Sequence, residues 1–440
     1  MKDLQNNFAM DIKYVGRKLI FLTLLIPFLL TSCDDQRVQV IEWVEYEPVY
    51  MSQEEFENAV DMEPARELEK PGKIYFYDQM LFVNEVNKGV HIIDNSDPSV
   101  PVNLGFINIP ANKDIAVKGD LLYADSYSDL LVFDIGNIQQ PELLSRVEGV
   151  FEEYVDFITF QRGFPYQSVD PSKGIVVDWK EVKMEEICED NCSSFRPGNN
   201  RWVTFETSVA TSFSDGGGAS ASGIGGSMAR FAITGDYLYA VDYSNLHTFN
   251  ISISEPVNEN SIHIGWLIET VFPYKDHLYV GSANAMYIYD IGSDPSAPSE
   301  LSTYSHFTAC DPVVVSGDIA YVTLRDGERC PRGVNRLEVI NVSDPVNPEK
   351  MADYEMINPH GLGIDGDYLF ISEGDKGLKI MDAGNPTNIK QLRHIEDIRT
   401  FDVIPFNNVL MITGKSGIVQ YDYSDINNLE HLSTIPIIND

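Results

Sequence analysis

From about residue 72 to the C-terminus the chain alternates short apolar runs with polar breaks rich in Gly, Asp, Asn, Ser and Pro. Runs such as "LLYA" from Leu121 and "LLVFDI" from Leu130 have the length of strands. They are apolar almost throughout instead of strictly alternating, as expected where both faces of a small sheet are covered by neighbours. The breaks carry turn chemistry. Gly-Asp pairs beginning at Gly119, Gly235, Gly317 and Gly366 suit hairpins that need a positive φ. A second break, an Asx residue followed by "SDP" or a relative of it, uses a side chain that bonds its own backbone and a proline that presets φ.

The same phrase recurs seven times. The polar residue closing the second apolar run of each copy falls at Asp94, Asp134, Asn250, Asp290, Asn341, Asp382 and Asp422, so the spacings are 40, 116, 40, 51, 41 and 40 residues. The two long intervals read as insertions, not as missing copies. Four strands per copy, each sheet needing cover on both faces, predict radial stacking: an all-β, seven-bladed β-propeller of about 40-residue repeats. An open solenoid is the structural rival.

"LLVFDIGN", "MYIYDIGSDP" and "LEVINVSDP" resemble the LVIVD-repeat family of bacterial surface propellers, and the resemblance covers about residues 72–436. It implies a fold and supplies no catalytic residue. There is no W-D dipeptide, no S-x-D-x-G-x-x-W box, and only four tryptophans in the chain, which argues against other propeller families.

At the N-terminus, Lys13, Arg17 and Lys18 precede a predominantly apolar run of twelve residues, Leu19 to Leu30. That is a secretory signal, too short for a stable membrane span. "LTSC", ending at Cys33, resembles the lipobox of bacterial lipoproteins. The resemblance implies an acylated (palmitate-bearing) Cys33 as mature N-terminus, anchored in a leaflet and not spanning it. Translation from Met1 or from Met10 serves this signal equally. The expected organisation is a signal peptide over 1–32, an anchored segment over 33–71, and a propeller over 72–440 with an insertion at about 151–226. Within 33–71, Ser52 and Glu55 predict a capping box for a short helix over 53–60, and the apolar "VQVIEWVEYEPVYM" predicts a segment packed on the propeller and helping to close its ring.

The balance of 31 basic against 67 acidic residues, a formal charge of -36, excludes nucleic acid as a natural partner and favours a soluble monomer. Four cysteines remain beside Cys33, an even number that fits an exported, oxidised protein. Of three possible pairings the local one joins Cys188 to Cys192 and leaves Cys310 with Cys330. A C-x3-C pair without nearby histidine makes a poor zinc site. The tract "SDGGGASASGIGGS" lacks the G-K-[ST] of a phosphate loop and leads into a strand, so no cofactor is expected there.

Strand direction places the insertion and the extended loop "RDGERCPRGVN" on one face. Residues leading into the first strands should ring the channel mouth on that face: Lys73, Asp114, Arg230, Thr270, Asp311, His360, and Arg399 with Asp402. Mixed charges there suit a small polar ligand. The closing Asx residues invite a calcium reading, but no D-x-D-x-D-G loop occurs and a turn role accounts for them, so no metal is expected. The function expected is a membrane-anchored binding scaffold of the bacterial cell envelope, at the outer membrane, holding a protein or glycan partner. The rival is a hydrolase or lyase using His360 as base with Arg230 or Arg399 orienting an anion.

Overall fold

The structure is a computed structural model and describes residues 39–151, 169–188, 224–227, 229–265, 268–306, 312–326 and 334–438. Cys33, Cys192, Cys310, Cys330 and Asp311, and the side chain of Cys188, lie outside the described set, so the lipidation site and both expected bridges do too. The chain divides into a small unit, 1–41 with 186–195, and a large unit, 42–185 with 196–440. The described residues of the small unit are the ends of two strands, Gln39–Met51 and Ile175–Cys188, which pair as a two-stranded sheet. The large unit carries all seven repeats.

Seven antiparallel sheets stand in a ring, as the repeats predict: blades 1 to 7 span 71–108, 115–147, 231–263, 268–305, 313–355, 362–395 and 400–435. In each blade the strands follow chain order from the channel outward, and innermost strands pack on those of neighbouring blades. The apolar runs are the middle strands. In blade 2 both Leu121–Ser126 and Asp129–Asp134 are buried along nearly their whole length, whereas the outer strand Glu142–Val147 starts exposed. Sheet faces bury each other: Leu122, Leu131, Phe133, Leu238 and Phe249 share one core that runs across blades 1 to 3.

Local chemistry does what the sequence expects of it. The first turn holds Gly119, Gly235, Gly317 and Gly366 at φ between 55° and 60°. A Cβ at these positions would meet open space, so backbone conformation alone demands glycine. All seven closing residues make Asx turns: the oxygen of Asp94, Asp134, Asn250, Asp290, Asn341, Asp382 or Asp422 accepts the N–H two residues on, at 2.7–3.1 Å. The Ser96 N–H lowers the Asp94 carboxyl below its ordinary range, and hydroxyl bonds from Ser293 and Ser424, with the turn N–H groups, do the same for Asp290 and Asp422.

The N-terminal segment differs in one respect from expectation. Helix Gln53–Asn58 forms with the Ser52–Glu55 capping box. Its Phe56, 1% exposed, packs with Ala111 and with Val177 from the insertion, so segment and insertion dock together on blades 1 and 2. The additional strand, Asp61–Glu63, pairs along the outside of blade 1 and joins no strand of blade 7. The ring therefore closes without a shared strand. Leu68 bridges to Ile437 in parallel, Ile438 N–H donates to Leu68 O at 2.8 Å, and the side-chain amides of Asn95 and Gln420 bond each other at 2.7 and 2.9 Å.

Candidate functional site

The residues expected at the channel mouth fall into two described groups. Lys73, Asp114, Arg230, Thr270 and Asp402 each stand directly before a core residue of an innermost strand (Ile74, Ile115, Phe231, Val271 and Val403). Asp114, Thr270 and Asp402 are buried. Lys73 Nζ donates to Asp114 Oδ2 at 2.6 Å, and the Arg230 N–H donates to the same oxygen. Asp114 Oδ1 takes the Ile115 N–H at 2.8 Å. Burial is the main influence on Lys73 and pulls its ammonium below the ordinary lysine range, while the charge of Asp114 opposes that shift. Three blades are thus tied at the mouth by one carboxylate.

His360 and Arg399 stand apart from that triad. His360 is 1% exposed, neither ring nitrogen has a hydrogen-bond partner, and its ring lies edge-on to Phe401 at 5.7 Å. Burial, then the charges of Arg325 and Lys415, hold its imidazole well below its ordinary value. Arg399 is exposed, with Nε 3.3 Å from Asp375 Oδ1, which Lys415 Nζ approaches at 3.5 Å. Among the described residues no carboxylate bonds the His360 ring. Among the described residues no group of three or more His, Cys, Asp or Glu is placed to hold a metal ion.

One set of buried charges escapes a reading of the sequence. Blades 1, 3 and 6 each carry an acid at the end of the second strand and a base on the third. The pairs are Glu85 with His91 at 3.0 Å, Asp242 with His247 at 2.8 Å, and Glu373 with Lys379 at 2.9 Å. In blades 1 and 6 the acid also accepts backbone N–H groups of the segment leading into the blade, Glu69 and Lys70 on Glu85 and Ile357 and Asn358 on Glu373. Asp125 does the same in blade 2 with Lys113 and Asp114, at 2.7 and 2.8 Å, and its burial pushes that carboxyl upward. The signal was available: His91, His247 and Lys379 each lie three residues before the closing Asx residue of their blade.

A small recess with about 10 Å³ of room for water, partly open to solvent, lies between blades 2 and 3, lined by Lys113, Asp114, Asp125, Tyr127, Arg230 and Asp242 among others. The oxygens of these three aspartates already accept bonds, Asp242 from Ser244, Asn245 and His247.

The channel itself is occupied by the chain. The last residues of the insertion, Ile224–Gly225, pair antiparallel with Phe76 and Tyr75 on the channel side of blade 1 and make it a six-stranded sheet. Ser227 Oγ then accepts the Leu362 N–H of blade 6 at 3.1 Å, and Ala229 O accepts the Val271 N–H of blade 4 at 2.8 Å. Among the described residues no helix is long and apolar enough to cross a membrane.

The LVIVD repeat, as a family profile, matches residues 73–108, 111–148, 271–306 and 360–392, which are blades 1, 2, 4 and 6. No curated protein matches the chain in sequence. Among solved structures, a protein from Lactobacillus plantarum is similar at 12% identity and TM-score 0.51, over 83% of this chain and 97% of that one. The periplasmic gluconolactonase PpgL of Pseudomonas aeruginosa is similar at 8% identity and TM-score 0.52, over 84% of this chain and 97% of that one. At such identities the likeness concerns the fold alone. The chain is a seven-bladed β-propeller that carries LVIVD repeats.

Proposed function

We propose that this protein is a lipid-anchored binding scaffold of the bacterial cell envelope, holding a protein or glycan partner on the face that carries the insertion. One observation carries the reading: the polar groups of the channel mouth bind each other and the chain's own backbone, and Ile224, Gly225 and Ser227 bond to the inner strands of blades 1 and 6. Catalysis would need a positioned base beside an accessible substrate site, whereas His360 is buried with no hydrogen-bond partner on its ring. The anchor rests on the Cys33 lipobox, and the -36 charge disfavours polyanionic partners.

The test has two arms. Metabolic labelling with an alkyne palmitate should mark the wild-type protein and leave Cys33→Ala unlabelled; equal labelling of both sinks the anchor. Photo-crosslinkers placed at exposed Lys180 and Lys183 of the insertion strand, and for comparison at Asp120 and Asp367 in the first turns of blades 2 and 6, report the binding face. A discrete adduct from the insertion positions only is expected. Adducts from the turn positions alone, or from neither set, reject the proposed face.

A further inference from the structure

A propeller that closes without a shared strand must hold its first and last blades together by other means, because the two otherwise meet only through side chains. Here blade 1 is built from residues 71–108 and blade 7 from 400–435, each from one continuous stretch. Their joint is held by the Leu68–Ile437 bridge and by the Asn95–Gln420 pair. The core beneath that joint combines Leu68, Ile74 and Leu81 from the N-terminal side with Ile404, Met411 and Ile418 from blade 7, and Ile224 packs against it. Ile224 comes from neither blade. It belongs to the segment that runs along the channel axis.

We propose that Ile224–Ser227 with Ala229 and Arg230 form an axial pin, which closes the ring in place of a shared strand and fixes the end of the insertion to the propeller. The pin reaches blades on every side within seven residues. Ile224 and Gly225 add a strand to blade 1, Ser227 takes a backbone N–H from blade 6, Ala229 takes one from blade 4, and Arg230 gives its own to Asp114 of blade 2. Such contacts resist outward splaying of any blade, since each ties an innermost strand to one chain on the axis. Close approach explains the residue types. A Cβ on Gly225 would stand 3.0 Å from two atoms of the Tyr75 ring, and Ser227, 1% exposed, is the smallest side chain that still offers an oxygen to Leu362. The pin also gives the terminal part of the glycine-rich tract a purpose unconnected with phosphate: small residues at 225–227 let the backbone approach the inner strands closely.

Hydrogen exchange on the full chain tests this, because the pin and the joint have separate reporters. Ser227→Ala removes the acceptor of the Leu362 amide, and Gly225→Val sets a side chain against Tyr75. If the pin closes the ring, either variant speeds exchange at Leu362 and also at Ile438, whose N–H bonds Leu68 across the joint and does not touch the pin. The expected acceleration at Ile438 is about tenfold, with amides in the middle strands of blade 4 unchanged. Acceleration confined to Leu362 would make the segment a passive filler and overturn the proposal. So would unchanged exchange at both sites. Should Gly225→Val fail to fold, Ser227→Ala and the milder Ile224→Ala still decide between these outcomes.

Discussion

His360 shows how far one residue's environment can depart from its reading in sequence. A histidine in "INPHGLGIDG" at a channel mouth invites a role as base. The fold buries it to 1% exposure against Phe401, with cationic Arg325 and Lys415 nearby, and every one of these influences disfavours the imidazolium. The consequence is a pH dependence of known sign. The unfolded chain takes up this proton near pH 6.5, the folded chain only at lower pH, so between the two the unfolded state holds more protons. Stability therefore rises with pH through that window and falls as pH drops below about 6.5, by at most about 1.4 kcal/mol per pH unit from this group. His360→Gln should flatten the profile of melting temperature between pH 7.5 and pH 5, whatever it does to absolute stability. Parallel profiles for variant and wild type would show that the buried ring does not titrate as described.

At the level of the blade, the buried acids act as clasps. Glu373 receives Lys379 Nζ and two backbone N–H groups of the segment leading into blade 6, so one side chain joins the second strand, the third strand and the connection. Lys379→Met keeps the stem and removes the charge, leaving Glu373, 0% exposed, without its cation. Removing one partner of a buried pair costs about 3 kcal/mol. Urea unfolding should show that loss for Lys379→Met and for Glu373→Gln, with the double variant well short of their sum. Additive losses would mean that the two groups do not act as a pair. Turn chemistry was legible beforehand because an Asx turn is written in three consecutive residues. The clasps were missed because acid and base sit five or six residues apart on different strands, and only the hairpin brings them together.

For the whole molecule the governing quantities are charge and closure. A formal charge of -36 on one chain repels itself, and hydrogen bonds in their turns keep Asp94, Asp290 and Asp422 ionised to lower pH than an ordinary carboxylate. Screening should therefore stabilise the fold: the melting temperature is expected to rise between 10 mM and 200 mM sodium chloride, most of the gain coming as the Debye length falls from about 30 Å toward 8 Å. A fall over that range would mean that surface ion pairs such as Lys118–Asp236 outweigh the repulsion. The amino-acid sequence by itself determined the repeat, the strands and their turns, the seven blades and the capped helix. Each of these is set by neighbours in the chain or by a contact made seven times over, and repetition leaves a periodic mark. Only the tertiary structure decided that the N-terminal strand pairs with the insertion, that Asp61–Glu63 lies outside blade 1, that His360 is sealed from solvent, and that Ile224 meets Phe76 on the channel axis. These contacts are made once, between segments far apart in the chain, and a contact made once imposes no pattern on the residues between.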